Sequence, residues 1–286
     1  MQWKEPAYAK INLTLDILGK LPNGYHSLAT VMQSVSLYDT VCLCREEGMM
    51  GIRVDCGGGA PSGPDNIVWK AARAFFDYCG IENQGVAFQI EKQIPSQAGM
   101  GGGSSDGAAA LRLLNRAFQT KLSVQVLREL GARVGADVPF CVTGGTMKAE
   151  GFGEILTPAP AMPPCTVLLC KPPIGVSTPQ AFRASDSAPA VPPKTPAMLS
   201  ALESGSLEQV AYCLNNRFED ILRLPEITEI TRRMKAGGAL GACMTGSGSV
   251  VFGLFCEENA AQKAGERLQE LGQVFLAHPV PAQAVE

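Results

Sequence analysis

The chain opens on an alternating pattern. In "YAKINLTLDI" (8–17) the apolar residues Ala9, Ile11, Leu13, Leu15 and Ile17 recur at every second position, the period of a half-buried strand. "TVMQSVSLYDTVCLC" (30–44) continues strand-like, and "LPNGYH" between them carries Asn23-Gly24 as a turn signal. The period then lengthens. "SGPDNIVWKAARAFFDYCG" predicts a helix capped by Asp65 and stopped by Gly80. "VAFQIEKQIP" alternates again and leads through a glycine-rich segment into the helical "SDGAAALRLLNRAF". "SVQVLRELGARVG" predicts another helix, and "ADVPFCVTGGTMKAEGFGEIL" a helix start followed by a hairpin.

Eleven of the 20 prolines fall between Thr157 and Pro196, where we place the domain junction and substrate-facing loops. Strands over "TVLLCKP", "GALGACM", "SVVFGLF" and "QVFLAH" alternate with short helices from Ala197 to Lys235 and a helix over "EENAAQKAGERLQEL". Strands and helices mixed in two halves predict an α+β fold of two domains, 1–157 and 158–286.

Composition narrows the class. The 286 residues are 46% apolar and 18% charged, enough for a substantial core, and the net charge of −3 offers no basic block for nucleic acid or an acidic membrane. The N-terminal "MQWKEPAYAK" lacks a signal-peptide core and no apolar run reaches spanning length, so a cytoplasmic enzyme is expected. The ten cysteines contain no C-x-x-C pair, and Cys141, Cys170, Cys243 and Cys256 lie in apolar runs as small core residues. His26 and His278 are too few for a histidine-based metal site.

The chemistry concentrates in "PSQAGMGGGSSDGAAAL", where four glycines and two serines precede a helix. The P-loop pattern fails because no lysine follows a suitable glycine, and the dinucleotide pattern fails because Ser104 stands where its third glycine belongs. A glycine-lined helix start still supplies unpartnered N–H groups and partial positive charge to an anion such as phosphate. The plainer alternative is a tight turn capped by Ser104 or Ser105. Two charged residues interrupt apolar text: Lys10 within the first strand, and Asp137 in "GADVPF", which reads most simply as a helix cap. Asn12, two residues after Lys10, shares its face of the strand.

"PAYAKINLTLDILGKLPNGYHSLATVMQSVSLYDTV", "IPSQAGMGGGSSDGAAAL", "GADVPFCVTGGTMKAEGFGEIL" and "MTGSGSVVFGLF", taken in order from Pro6 to about Phe255, resemble the GHMP kinases. Within that family "AKINLTL…NGYH" and "GADVPF" resemble members that phosphorylate the 2-hydroxyl of a cytidine-diphosphate-linked methylerythritol, in non-mevalonate supply of the isoprenoid precursor isopentenyl diphosphate. The resemblance implies a two-domain fold with ATP and this small-molecule substrate in the cleft between domains, in a monomer or weak homodimer. It implies Asp137 as the base that accepts the hydroxyl proton and Lys10 as the residue that orients the hydroxyl and stabilises charge. It places Pro95, Ser96, Gln97, Ala98, Gly99, Met100, Gly101, Gly102, Gly103, Ser104 and Ser105 around the triphosphate, with Ser104 or Ser105 near Mg2+ and Ser105 taken as the metal contact. Asn66 and Lys92 fall near the adenine. Asn12 would hold the substrate, while Tyr25 and His26 would stack on and bond the cytidine with Phe182 on its other side. Gly246, Ser247 and Gly248 match the family's second glycine loop, which lines the active site with Gly246 and Ser247 at the substrate, the plainer alternative being a β-turn between two strands.

Overall fold

The computed structural model describes residues 1–21, 24–45, 48, 50–57, 62–81 and 85–284; Asn23 of the predicted turn lies outside them. The first part of the chain carries β1 (Gln2–Lys20), β2 (His26–Cys44), β3 (Ile52–Asp55), α1 (Ile67–Cys79), β4 (Val86–Glu91) and α2 (Gly102–Ala117). There follow α3 (Val124–Ala132), α4 (Val138–Thr143), β5 (Thr146–Gly151), β6 (Ile155–Pro158) and β7 (Thr166–Lys171). The remainder carries α5 (Thr178–Ser185), α6 (Thr195–Ser204), α7 (Leu207–Tyr212), β8 (Asn215–Asn216), α8 (Arg217–Leu222), α9 (Pro225–Ala236), β9 (Gly241–Met244), β10 (Val251–Phe255), α10 (Glu258–Glu266) and β11 (Gln273–Ala277).

These strands make two sheets, giving the α+β class. One runs β3-β4-β2-β1-β8, with β5 and β6 joined through β2; the other runs β11-β7-β10-β9. The two-residue β8, far beyond the proline-rich stretch, pairs in parallel with β1 at Thr14 and Leu15, so the late chain adds to the early sheet. The helix expected from Asp65 is capped instead by Asn66, whose Oδ1 accepts the Val68 N–H at 2.7 Å; it ends at Gly80 in the left-handed conformation, as expected. Helix α5 and strand β3 escaped the sequence reading: α5 begins at Thr178-Pro179, after its N-cap residue Ser177, inside the proline-rich stretch, and β3 has only four residues.

Strand β1 is the centre of the molecule. Its apolar residues enter three separate cores: Ala7 packs with α1 and α2, Ala9, Ile11 and Leu13 pack between the sheets with Val167, Leu169, Phe252 and Leu254, and Leu15 packs with α9 and α10. Register shifts at Tyr8/Lys10 and Asn12/Thr14 re-aim the strand between these cores. The expectation of a half-buried strand fails here, because the polar residues Lys10, Asn12, Thr14 and Asp16 are all buried too. Each has a partner. Asp16 accepts from the Thr195 N–H at 2.8 Å and from Asn215 Nδ2 at 3.1 Å, and the Thr14 and Thr195 hydroxyls lie 2.9 Å apart. Unpartnered burial would cost about 1–3 kcal/mol per group, so these bonds fix α6 and β8 against β1.

A buried ion cluster fixes the end of β4, where the glycine-rich segment begins. Asp39 of β2, with no exposed surface, accepts from the Ile94 N–H at 2.8 Å and pairs with Lys92. Lys92 also reaches Asp106 of α2 at 2.6 Å, while Asp106 Oδ1 has no partner. Burial pushes the Asp106 carboxyl up to about 7, helped by the neighbouring Asp39 charge and opposed by Lys92. Because its folded pKa stands above the ordinary 3.8, the folded state holds a proton that the unfolded state has released, and this contribution to stability declines as pH rises from 3.8 to about 7. Asp106→Asn removes that titration. The stability of the variant relative to wild type, read from urea midpoints, is expected to increase across this interval and level off above it; a difference independent of pH would remove Asp106 as its source.

Candidate active site

A cleft of about 1310 Å³ opens between the two sheets and is lined from both parts of the chain, including Lys10, Gly101 and Asp137 from the first and Thr178, Phe182 and Gly246 from the second. The glycine-rich segment forms one wall. Its last glycine before α2, Gly101, is the N-cap in the left-handed conformation (φ 69°), and no side chain caps the helix. The plainer alternative of a serine cap is therefore absent: Ser104 and Ser105 lie inside the helix. With no protein oxygen at its cap, the start of a 16-residue helix presents N–H groups and the positive end of its dipole to the cleft.

The glycines are also required by packing. A Cβ on Gly99 would stand 2.2 Å from the Thr245 carbonyl oxygen, and one on Gly246 2.7 Å from the Gly99 oxygen, so the two glycine loops meet backbone to backbone. A Cβ on Gly107 would meet Ile67 at 2.6 Å, where α2 crosses α1. Ala98 and Met100 bury their side chains in the inter-sheet core and accept from the Val250 and Lys10 N–H groups, which leaves only their main chain for a ligand. Pro95, Ser96, Gln97, Gly102, Gly103 and Ser104 line the cleft. Ser105 does not: it is 2% exposed and its hydroxyl donates to the Tyr8 carbonyl at 2.6 Å. The sequence-based choice of Ser105 as a metal ligand is corrected accordingly, and Ser104 is the serine that faces the cleft.

Directly beside Gly101 lie the two charges singled out in the sequence. Lys10 Nζ is 3.5 Å from Asp137 Oδ2, and a Cβ on Gly101 would stand 3.1 Å from Lys10 Cγ and 3.6 Å from that carboxylate oxygen. Asp137 does occupy the N-cap position of α4, yet its side chain makes no capping bond. Helix α4 is held from its other end by the buried Arg112, which donates to the Cys141 and Val142 carbonyls at 2.8 and 3.0 Å. The Lys10 side chain is 5% exposed and that of Asp137 36%, so the carboxylate is the more accessible to an incoming molecule.

Asn12 lies next to the pair but is already occupied. Its Oδ1 accepts from Lys10 Nζ at 2.7 Å and from the Gly246 N–H at 3.1 Å, and its Nδ2 donates to Thr30 at 2.8 Å. The position expected to hold substrate thus links Lys10 to the second glycine loop. Asn216 holds that loop from behind, donating to the Met244 and Gly246 carbonyls at 2.7 and 2.8 Å. Ser247 faces the cleft and shares a 2.7 Å hydrogen bond with Thr178.

At the far end of the cleft are the aromatic residues. His26 and Phe182 stack on each other, centroids 4.8 Å apart, and His26 Nε2 lies 2.7 Å from Asp186, which also pairs with Lys20 at 3.0 Å. Tyr25, 62% exposed and 5.6 Å from Phe152, lines the same end of the cleft. Asn66 and Lys92 both line the opposite end, with Asn66 Nδ2 on Cys56 at 3.1 Å.

The sequence reading missed Asp39, Asp106, Thr245, Asn216 and Asp186. Asp39 carried the same signal as Lys10, a charge within apolar strand text, and was open to the same reasoning. The others sit in polar loops or helix starts where nothing in the text separates them from solvated residues. Among the described residues no group of three or more His, Cys, Asp or Glu side chains is arranged to hold a metal, and no helix is long and apolar enough to cross a membrane.

The GHMP kinases N terminal domain matches residues 66–145 and the GHMP kinases C terminal domain residues 198–274. Over 261 residues the chain is 44% identical to 4-diphosphocytidyl-2-C-methyl-D-erythritol kinase of Desulfitobacterium hafniense (strain Y51), covering 90% of this chain and 88% of that one. The protein of the same name from Caldicellulosiruptor saccharolyticus is 41% identical over 266 residues, covering 92% and 91%. A crystal structure of 4-(cytidine 5'-diphospho)-2C-methyl-D-erythritol kinase superposes with a TM-score of 0.81 at 33% identity, covering 97% of this chain and 99% of that one. The homoserine kinase of Cytophaga hutchinsonii shares the fold at a TM-score of 0.76 and 19% identity, covering 99% and 95%. By fold, by both domain matches and by identity over most of its length, the chain belongs to the GHMP kinase family.

Proposed function

We propose that this kinase transfers the γ-phosphoryl group of ATP to the 2-hydroxyl of 4-diphosphocytidyl-2-C-methyl-D-erythritol, in the supply of isoprenoid precursors. The observation that carries the reading is the Lys10–Asp137 pair, 3.5 Å apart, directly beside Gly101 at the uncapped start of α2. A phosphate seated on that helix start would lie next to a carboxylate and an ammonium, the two groups that transfer to an alcohol requires. The relatives' shared name supports the choice of alcohol.

In this mechanism residues 1–157 hold the nucleotide and residues 158–286 complete the cleft. Asp137, the more accessible member of the pair, accepts the proton of the attacking hydroxyl. Lys10, fixed by Asn12, orients that hydroxyl and offsets the charge that develops as the proton leaves. The glycine loop binds the triphosphate through main-chain N–H groups. Mg2+ bound with the triphosphate would neutralise part of its charge, and Ser104, whose side chain lines the cleft, would be the serine beside it. Asn66 and Lys92 border the adenine, and Tyr25, His26 and Phe182 border the cytidine. With Phe182 stacked on His26 and packed edge to face with Phe218, Tyr25 offers the more exposed ring to the base. The enzyme acts in the cytoplasm on small molecules, with no need of nucleic acid or membrane.

ADP release with Mg-ATP and a panel of the cytidylyl methylerythritol, homoserine, mevalonate and galactose tests the assignment. Turnover confined to the cytidylyl compound is the expected result; turnover with another alcohol would overturn the cytidine site, and ATP binding without turnover would make this a sensor built on a kinase fold. Asp137→Asn is expected to lower kcat by about 10²–10⁴-fold with ATP affinity retained, the usual range for general-base help. Near-normal turnover in that variant would remove Asp137 from the chemistry. Tyr25→Ala is expected to raise KM for the cytidylyl substrate and leave that for ATP unchanged; the reverse pattern, measured by steady-state kinetics, would relocate the cytidine site.

A further inference from the structure

A second, smaller cavity of about 400 Å³ lies outside the cleft, lined among others by Gln33, Thr146, Met162, Cys165, Cys256 and His278. Its walls come from both sheets and from the chain after β11. That last segment is held firmly: the Ser36 N–H donates to the His278 carbonyl at 2.8 Å, and the Val280 N–H to the Ser34 carbonyl at 2.9 Å.

The two cysteines are related by the sheet. Strands β7 and β10 are antiparallel with Phe255 opposite Thr166, so the next position in the same register sets Cys256 opposite Cys165. Alternation places them on one face: Val167 and Leu169 of β7 and Phe252 and Leu254 of β10 all enter the inter-sheet core, and Cys165 and Cys256 continue those two rows. Facing residues of an antiparallel pair have Cα atoms about 4.5–5.5 Å apart, inside the span of about 4.4–6.8 Å that a disulfide bridges. Both thiols are free here, Cys165 buried and Cys256 exposed, which corrects the expectation of Cys256 as a core residue: it lies just past the end of β10.

We propose that Cys165 and Cys256 are a reversible dithiol–disulfide site, closed by exchange with a low-molecular-weight disulfide. The exposed Cys256 thiolate attacks one sulfur of the disulfide RSSR, forming a Cys256–SR bond and expelling RS⁻. The Cys165 thiolate then attacks the Cys256 sulfur, forms the cross-strand bond and expels the second RS⁻. The two protons given up by the cysteines are taken by the two thiolates, so two protein thiols are oxidised and one RSSR is reduced. Burial pushes the Cys165 thiol up to about 12, which makes it the resolving rather than the attacking group and the second step the slower one. The cavity beside the pair gives the departing RS⁻ an exit. The bond would join the start of β7 to the end of β10, away from the Lys10–Asp137 pair.

The test reads covalent state, not turnover, and so stands apart from the kinase assignment. The full chain is incubated with oxidised glutathione, its remaining thiols are blocked with iodoacetamide, and it is digested without reduction for peptide mass mapping. The expected product is a peptide pair joined through Cys165 and Cys256 that separates on adding dithiothreitol. Cys165→Ser is expected to stop at a glutathione mixed disulfide on Cys256, and Cys256→Ser to leave Cys165 unmodified. A wild-type chain in which Cys256 keeps glutathione, joins a different cysteine or stays reduced overturns the proposal; wild-type mapping alone decides it if the buried Cys165→Ser variant fails to fold.

Discussion

The structure depends on a strand whose polar side is buried. Lys10, Asn12, Thr14 and Asp16 lie in sequence along β1, each at most 4% exposed. An alternating strand at a protein surface would leave such residues to water. Here no water-facing side exists, so every polar group must find a protein partner or cost about 1–3 kcal/mol. The partners come from far along the chain: Asp137, Thr195, Asn215, Thr245 and Gly246. Satisfying one strand therefore assembles the late chain on the early sheet, and the same requirement places a lysine and an aspartate side by side at the cleft.

The glycine-rich segment shows how packing and ligand access can require the same residue. Four glycines exceed the needs of a turn, which suggests a ligand that approaches the main chain. The structure supplies a second reason: Gly99 and Gly246 touch backbone to backbone, leaving no room for a Cβ on either. Gly101 differs. Its left-handed φ and its contact with Lys10 and Asp137 set it between the loop and the charged pair, where a side chain would intrude on the space an anion needs. One loop thus carries glycines of two kinds, some closing the contact between the two parts of the chain and at least one keeping the helix start open.

Much of this was legible in the sequence, and the exceptions have physical causes. The strands and helices with several turns or alternations were legible because burial on a face repeats at a fixed period. Helix α5 was hidden because it lies within the proline-rich stretch, whose prolines read as interruptions, although Pro179 sits in its first turn as a proline does in α4, α6 and α9. Lys10 and Asp137 stood out as charges in apolar text. Asp39 offered the same signal without a neighbouring motif to draw attention to it. Ser104 and Ser105 could not be separated, since adjacent residues of one helix turn point in directions about 100° apart and only the packing of α2 decides which one meets Tyr8. His26 and Phe182, 156 residues apart, meet through the placement of α5, which local pattern did not reveal.

Asn12 has the most consequential placement among the polar residues of β1. Its amide oxygen accepts from Lys10 and from the Gly246 N–H, and its backbone N–H donates to the Thr245 hydroxyl at 3.0 Å. Thr245 in turn lies against the Gly99 carbonyl at 3.4 Å. The ammonium, the second glycine loop and, through Thr245, the first glycine loop are therefore joined at one residue, and a shift of any of them would disturb a buried hydrogen bond. The asparagine amide suits this position because it offers donor and acceptor together: a carboxylate could not donate to Thr30, and an aliphatic side chain would strand the ammonium and a loop N–H. A lysine held this way has lost its rotamer freedom before any ligand arrives, so orienting its charge adds little entropic cost to the reaction.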